Sequence, residues 1–85
     1  MAHSQSFLAN QKARNAVVGA ETLLKRIISQ LSISGNTSLK VKNSIAEVTT
    51  LNVLRRISPE ASVTSGKKLC TKFIYIVLKA SLRLF

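Results

Sequence analysis

The chain has 85 residues, enough for one domain but not for a large core; a chain of this size buries only about 60–65% of its unfolded surface. Its hydrophobic fraction of 46% is that of a folded protein, not a disordered one. Thirteen Lys and Arg face only three acids, Glu21, Glu47 and Glu60, which leaves a net charge of +10. Few internal ion pairs can offset such an excess, and it favours nucleic acid or an anionic membrane as partner.

Catalysis has little to work with. Cys70 is the single cysteine and His3 the single histidine. No CxxC, no Cys/His zinc spacing and no glycine-rich phosphate loop is present, and no nucleophile–base pair can be assembled. The chain is therefore expected to be non-enzymatic, with no cofactor, no metal and no small-molecule substrate. Cys70 lies in an apolar run and reads as a small buried hydrophobe.

In chain order, Ala13, Val17, Ala20, Leu24, Ile27 and Leu31 follow one another at steps of 4, 3, 4, 3 and 4. That is the repeat of one helix stripe, widened by Ala16, Leu23 and Ile28. Lys12, Asn15, Thr22, Arg26 and Ser29 fall on the opposite side, and Ser4 or Ser6 can cap the start. A helix is predicted over about 6–32. Residues 1–20 also resemble an organelle-targeting segment in composition, with no acid, some serine and two cations. They lack the apolar core of a secretory signal, so the protein is expected in a mitochondrial or other organellar lumen and not secreted.

"SISGNTS" interrupts the pattern, with Gly35 and Asn36 suited to a turn. "SLKVK" alternates apolar and polar and hints at a short strand. Ser44 and Glu47 match the capping box of a helix start, so a second helix is predicted over about 43–58. It would carry Ile45, Val48, Leu51, Leu54 and Ile57, a stripe that drifts because every step is 3. Pro59 is expected to stop it. "SPEASVTSG", 58–66, then has the Ser/Pro/Gly composition of a linker. "RRIS" at 55–58 resembles a basophilic kinase site, although Arg55 and Arg56 also suit the negative pole at a helix end.

The tail, 67–85, joins cations to the most hydrophobic part of the chain. As a helix over 67–84 it brings Lys68, Lys72, Lys79 and Arg83 to one face, with Tyr75 beside them. Leu69, Phe73, Ile76 and Ala80 border that stripe on one side, and Ile74, Val77, Leu78, Leu84 and Phe85 cover most of the rest. The run Phe73 to Leu78 is also rich in strand-forming residues, but the cation spacing selects the helix. No segment is uncharged for the ~18 residues that cross a bilayer.

The expected fold is a small, mostly α single domain of three helices with a linker at 58–66 and a basic amphipathic segment at the C-terminus. The expected function is docking on RNA or a ribonucleoprotein, an organellar ribosome for example. Phosphates would be met by Lys25, Arg26, Lys40, Lys42, Arg55, Arg56, Lys67, Lys68, Lys72, Lys79 and Arg83. The alternative is a peripheral membrane protein or viral-type accessory protein held on an anionic membrane surface by the C-terminal segment. A protein partner is expected in either case.

Overall fold

The computed structural model describes residues 2–34 and 38–84, with side chains described for 7–31 and 39–82. These residues form three helices, α1 (Ala2–Ser34), α2 (Ser38–Ile57) and α3 (Pro59–Leu84). The protein is small and all-α, as the sequence pattern implies. Its extents are 52 × 20 × 15 Å. A helix of 33 residues is about 50 Å long at 1.5 Å per residue, so α1 sets the long dimension.

Pairwise contacts give the directions. Ala16 meets Gly66, Gly19 meets Cys70, and Gln30 donates from Nε2 to Ser81 Oγ at 3.1 Å. Partners on α1 and α3 advance together, so these helices run parallel. Glu47 pairs with Lys72 and Leu51 lies against Gly66, so α2 runs antiparallel to α3. The arrangement is up-down-up, with α1 packed more extensively on α3 than α2 is on either.

The predicted stripe of α1 forms the wall of the core. Ala13, Val17, Ala20, Ile27 and Leu31 are buried, and Leu24 is partly buried against them. Lys12, Asn15, Thr22, Arg26 and Ser29 are exposed as expected. Opposite stand Val48 and Leu51 from α2 and Leu69 and Phe73 from α3, with Phe73 wholly enclosed.

Helix α2 departs from the sequence reading. It begins at Ser38, which overturns both the start near 43 and the strand hint at "SLKVK". Ser44 is not a cap but a buried position inside the helix, and the Glu47 carboxylate instead takes Lys72 Nζ at 2.9 Å on both oxygens. The buried side is therefore Val41, Ser44, Val48 and Leu51, at steps of 3, 4 and 3. Once Ser44 is admitted as a core residue the stripe no longer drifts. Ile45 and Ile57, which belonged to the drifting stripe, are exposed. The β-branched Thr49 and Thr50 are accommodated because their hydroxyls donate to the carbonyls of Ile45 and Ala46.

The expected linker at 58–66 is also overturned. Only Ser58 is non-helical there. The same residues that read as a break form a helix start: Ser58 Oγ accepts from the Ala61 amide at 3.4 Å, Pro59 takes the first helical position, and Glu60 places an acid in the first turn. Ser62 and Gly66 then continue the buried face towards Leu69 and Phe73. The run Phe73 to Leu78 is helical, not a strand. The expected turn around Gly35 and Asn36 falls on residues 35–37, outside the described residues, although α1 continues to Ser34.

Candidate functional site

The cations named from the sequence lie on all three helices. Lys25 and Arg26 are exposed on the C-terminal half of α1, Lys40 and Lys42 in the first turns of α2, and Arg56 in its last turn, where Arg55 is half-buried. Lys67, Lys68, Lys72 and Lys79 are exposed along α3. Arg83 belongs to the last turn of α3, but its side chain lies outside the described residues. Two further exposed cations, Lys12 and Arg14 on α1, share the same chemistry; in the sequence they are the two cations of the targeting-like segment 1–20.

The structure gathers these cations into small groups and not into one patch. Lys68 and Lys72 border a groove of about 440 Å³ between α2 and α3, whose floor is Leu51, Leu54 and Leu69. Glu47 lies on the opposite rim and holds Lys72. Arg14 and Arg55 line a depression between α1 and α2 that also holds Glu21. There Arg55 spends two donors, Nε and Nη2, on Asn52 Oδ1, both at 3.2 Å. Lys12 shares a third depression with Glu60, between the N-terminal turns of α1 and α3. Among the described residues Lys72 is the only cation in an ion pair. Side chains left in water with no acid beside them keep their full charge available to an anionic ligand.

An exposed apolar surface accompanies the charge. Ile74, Tyr75, Leu78 and Leu82 stand out on α3, Phe7, Leu8 and Val18 on α1, and Leu39, Val53 and Ile57 on α2. The residues on α3 are contiguous; those on α1 and α2 are spread along their helices.

Cys70 is half-buried beside Gly19, and desolvation raises its thiol pKa. That is the environment of an inert thiol, not of an activated nucleophile. Among the described residues no group of three or more His, Cys, Asp and Glu could hold a metal ion. No described helix is long and apolar enough to cross a membrane. The serine of "RRIS" is Ser58, the cap of α3, and the two arginines before it are helical.

Comparison with protein-family models, with curated proteins and with solved structures finds no match to this chain.

Proposed function

We propose that the protein is a non-enzymatic binding module that docks on RNA or a ribonucleoprotein through phosphate contacts. The observation that carries this reading is the state of its cations: those described are almost all exposed, they occur on every helix, and a single one is ion-paired. Lys25, Arg26, Lys40, Lys42, Arg56, Lys67, Lys68 and Lys79 are the contacts expected to matter most, because each is exposed and none is in an ion pair. Contacts of this kind follow the phosphate backbone and carry no base specificity. With three Phe and one Tyr in the chain, stacking on bases contributes little.

The organellar setting, an organellar ribosome being the example, belongs to the same proposal and rests on the composition of residues 1–20. The fold constrains how such a segment could work. Ala13, Val17 and Ala20 are buried, so a targeting role here requires that the segment be kept and not removed.

Binding to generic RNA, followed across a salt series, tests the proposal. A protein with 6–10 phosphate contacts loses about 10³–10⁵ in affinity between 50 and 200 mM salt. A steep loss of that kind, reduced in slope by Lys25→Gln with Arg26→Gln, is expected. Affinity that stays level across the series overturns the phosphate reading.

A further inference from the structure

Phosphate docking uses the lysines and arginines but gives no role to the outer side of α3. The inner side of that helix is fixed by Ser62, Gly66, Leu69 and Phe73. Ile74, Leu78 and Leu82 recur at four-residue steps about half a turn away from it, with Tyr75 adjoining. All four are exposed, Leu82 to 75%. The stripe from Ile74 to Leu82 is about 12 Å long at 1.5 Å per residue.

The charges that α3 itself places around it are all of one sign, and the one acid across the groove from them, Glu47 of α2, is held by Lys72. Lys67 continues the line of the stripe two turns before Ile74, and Lys68 and Lys79 follow it along one side, each exposed. After Glu60 the chain contains no acid at all. A continuous exposed apolar stripe on a small protein marks a contact surface, and its borders here specify an anionic one. A second copy of the chain fits poorly, because pairing two such stripes brings lysine borders together on molecules that each carry +10. RNA offers aliphatic Ile and Leu side chains nothing to bury against. A bilayer offers both an acyl boundary for those side chains and phosphates for the lysines.

We propose that the outer face of α3 lies in the interface of an anionic bilayer, with Ile74, Leu78 and Leu82 at the acyl boundary and Lys67, Lys68 and Lys79 reaching the headgroups. The helix lies in the membrane plane, since it is too short of uncharged residues to cross. The lysine stems run along the apolar surface and carry their ammonium groups outward, as such side chains do at interfaces. This surface shares Lys67, Lys68 and Lys79 with the phosphate contacts named above but is separate from the cations of α1 and α2, and it does not depend on their binding RNA.

The chain has no Trp, so a single introduced Trp reports one position. In the full-length protein, Leu78→Trp is expected to shift its emission to the blue with vesicles of phosphatidylcholine mixed with phosphatidylglycerol. It should not shift with phosphatidylcholine alone, and Thr22→Trp on the outer face of α1 should not shift with either. Replacing Leu78→Ser and Leu82→Ser together should lower partitioning to the anionic vesicles by at least about tenfold, with helicity by circular dichroism unchanged because both positions are exposed. Unchanged partitioning of that variant overturns the proposal. So does a blue shift of Leu78→Trp that grows with protein concentration without lipid, which marks a second copy. A shift with RNA and none with vesicles overturns it too.

Discussion

A Cβ placed on Gly66 of α3 would lie 2.6 Å from the Cβ of Ala16 on α1. The two helices touch here at backbone range, and the absence of a side chain on one of them is what allows it. Leu51 Cδ2 closes the same spot from α2 at 3.6 Å. Alanine is better than glycine in a helix by about 1 kcal/mol, yet overpacking typically costs about 1–3 kcal/mol. Gly66→Ala is therefore expected to destabilise despite its helix propensity. Chemical denaturation of Gly66→Ala, Ala16→Gly and the double variant checks this: the second substitution should recover stability in the background of the first. Additive effects would show that the two residues do not meet.

Gly19 is the contrasting case. A Cβ there would sit 3.7 Å from Cys70 Sγ, an ordinary contact. Gly19→Ala should stabilise the protein by about 0.5–1 kcal/mol, since it lowers the entropy of the unfolded chain without a clash. A raised denaturation midpoint is the expected readout, and a lowered one would place α1 and α3 closer at this level than described.

The two serines that begin a helix, one in expectation and one in the structure, can be told apart. Ser58→Ala removes the cap of α3 and should cost about 0.5–2 kcal/mol. Ser44→Ala, in the interior of α2, should cost nothing measurable, because alanine is the better helix former by up to about 0.7 kcal/mol. The larger loss at Ser44 would return the helix start to the capping box.

Ile27 is fully enclosed in the core, whereas Thr22 is exposed with its hydroxyl turned back to the Val18 carbonyl at 2.9 Å. Ile27→Ala should cost about 2–5 kcal/mol, comparable to the whole stability of so small a domain. Thr22→Ala should stay within about 0.5 kcal/mol of the parent. Thermal melts by circular dichroism should show the cooperative transition lost in the first and kept in the second.

Burial raises the pKa of the Cys70 thiol above its ordinary 9.0. The fold thus disfavours the thiolate, so this contribution to stability is intact below the unfolded pKa and declines as pH rises through it into the alkaline range. At mildly alkaline pH, Cys70 should react with a disulfide reagent more slowly than a free thiol, and unfolding the protein should remove the difference. Reaction at the free-thiol rate in the folded protein would contradict the burial.

Helix α1 was legible because its core positions are Ala, Val, Leu and Ile, so hydrophobicity and burial follow one period. The beginnings of α2 and α3 were not, because Ser44, Ser62 and Gly66 occupy core positions there. Small side chains are selected by the closeness of the neighbouring helix, a property of the partner that a single segment does not display. Pro59 ends α2 as expected, but it also favours starting a helix, and Ser58 before it with Glu60 after it points to that second start. Of the candidate surface, the exposure of the cations was legible from their spacing. The outward face of Ile74, Leu78 and Leu82 was not, since α3 is apolar on two sides and the small residues at 62 and 66 decide which side is seated.

The parallel pairing of α1 with α3 has a consequence in time. The most extensive interface among the described helices joins the first of the three to the third, whereas α2 and α3 meet across the single non-helical residue Ser58. Contacts between distant parts of a chain must close a long loop before they gain anything. The contacts of α2 with its two sequence neighbours are therefore expected to form before the α1–α3 interface closes. During translation the stripe from Ala13 to Leu31 is covered only in part, by Val48 and Leu51 of α2, until Leu69 and Phe73 have emerged.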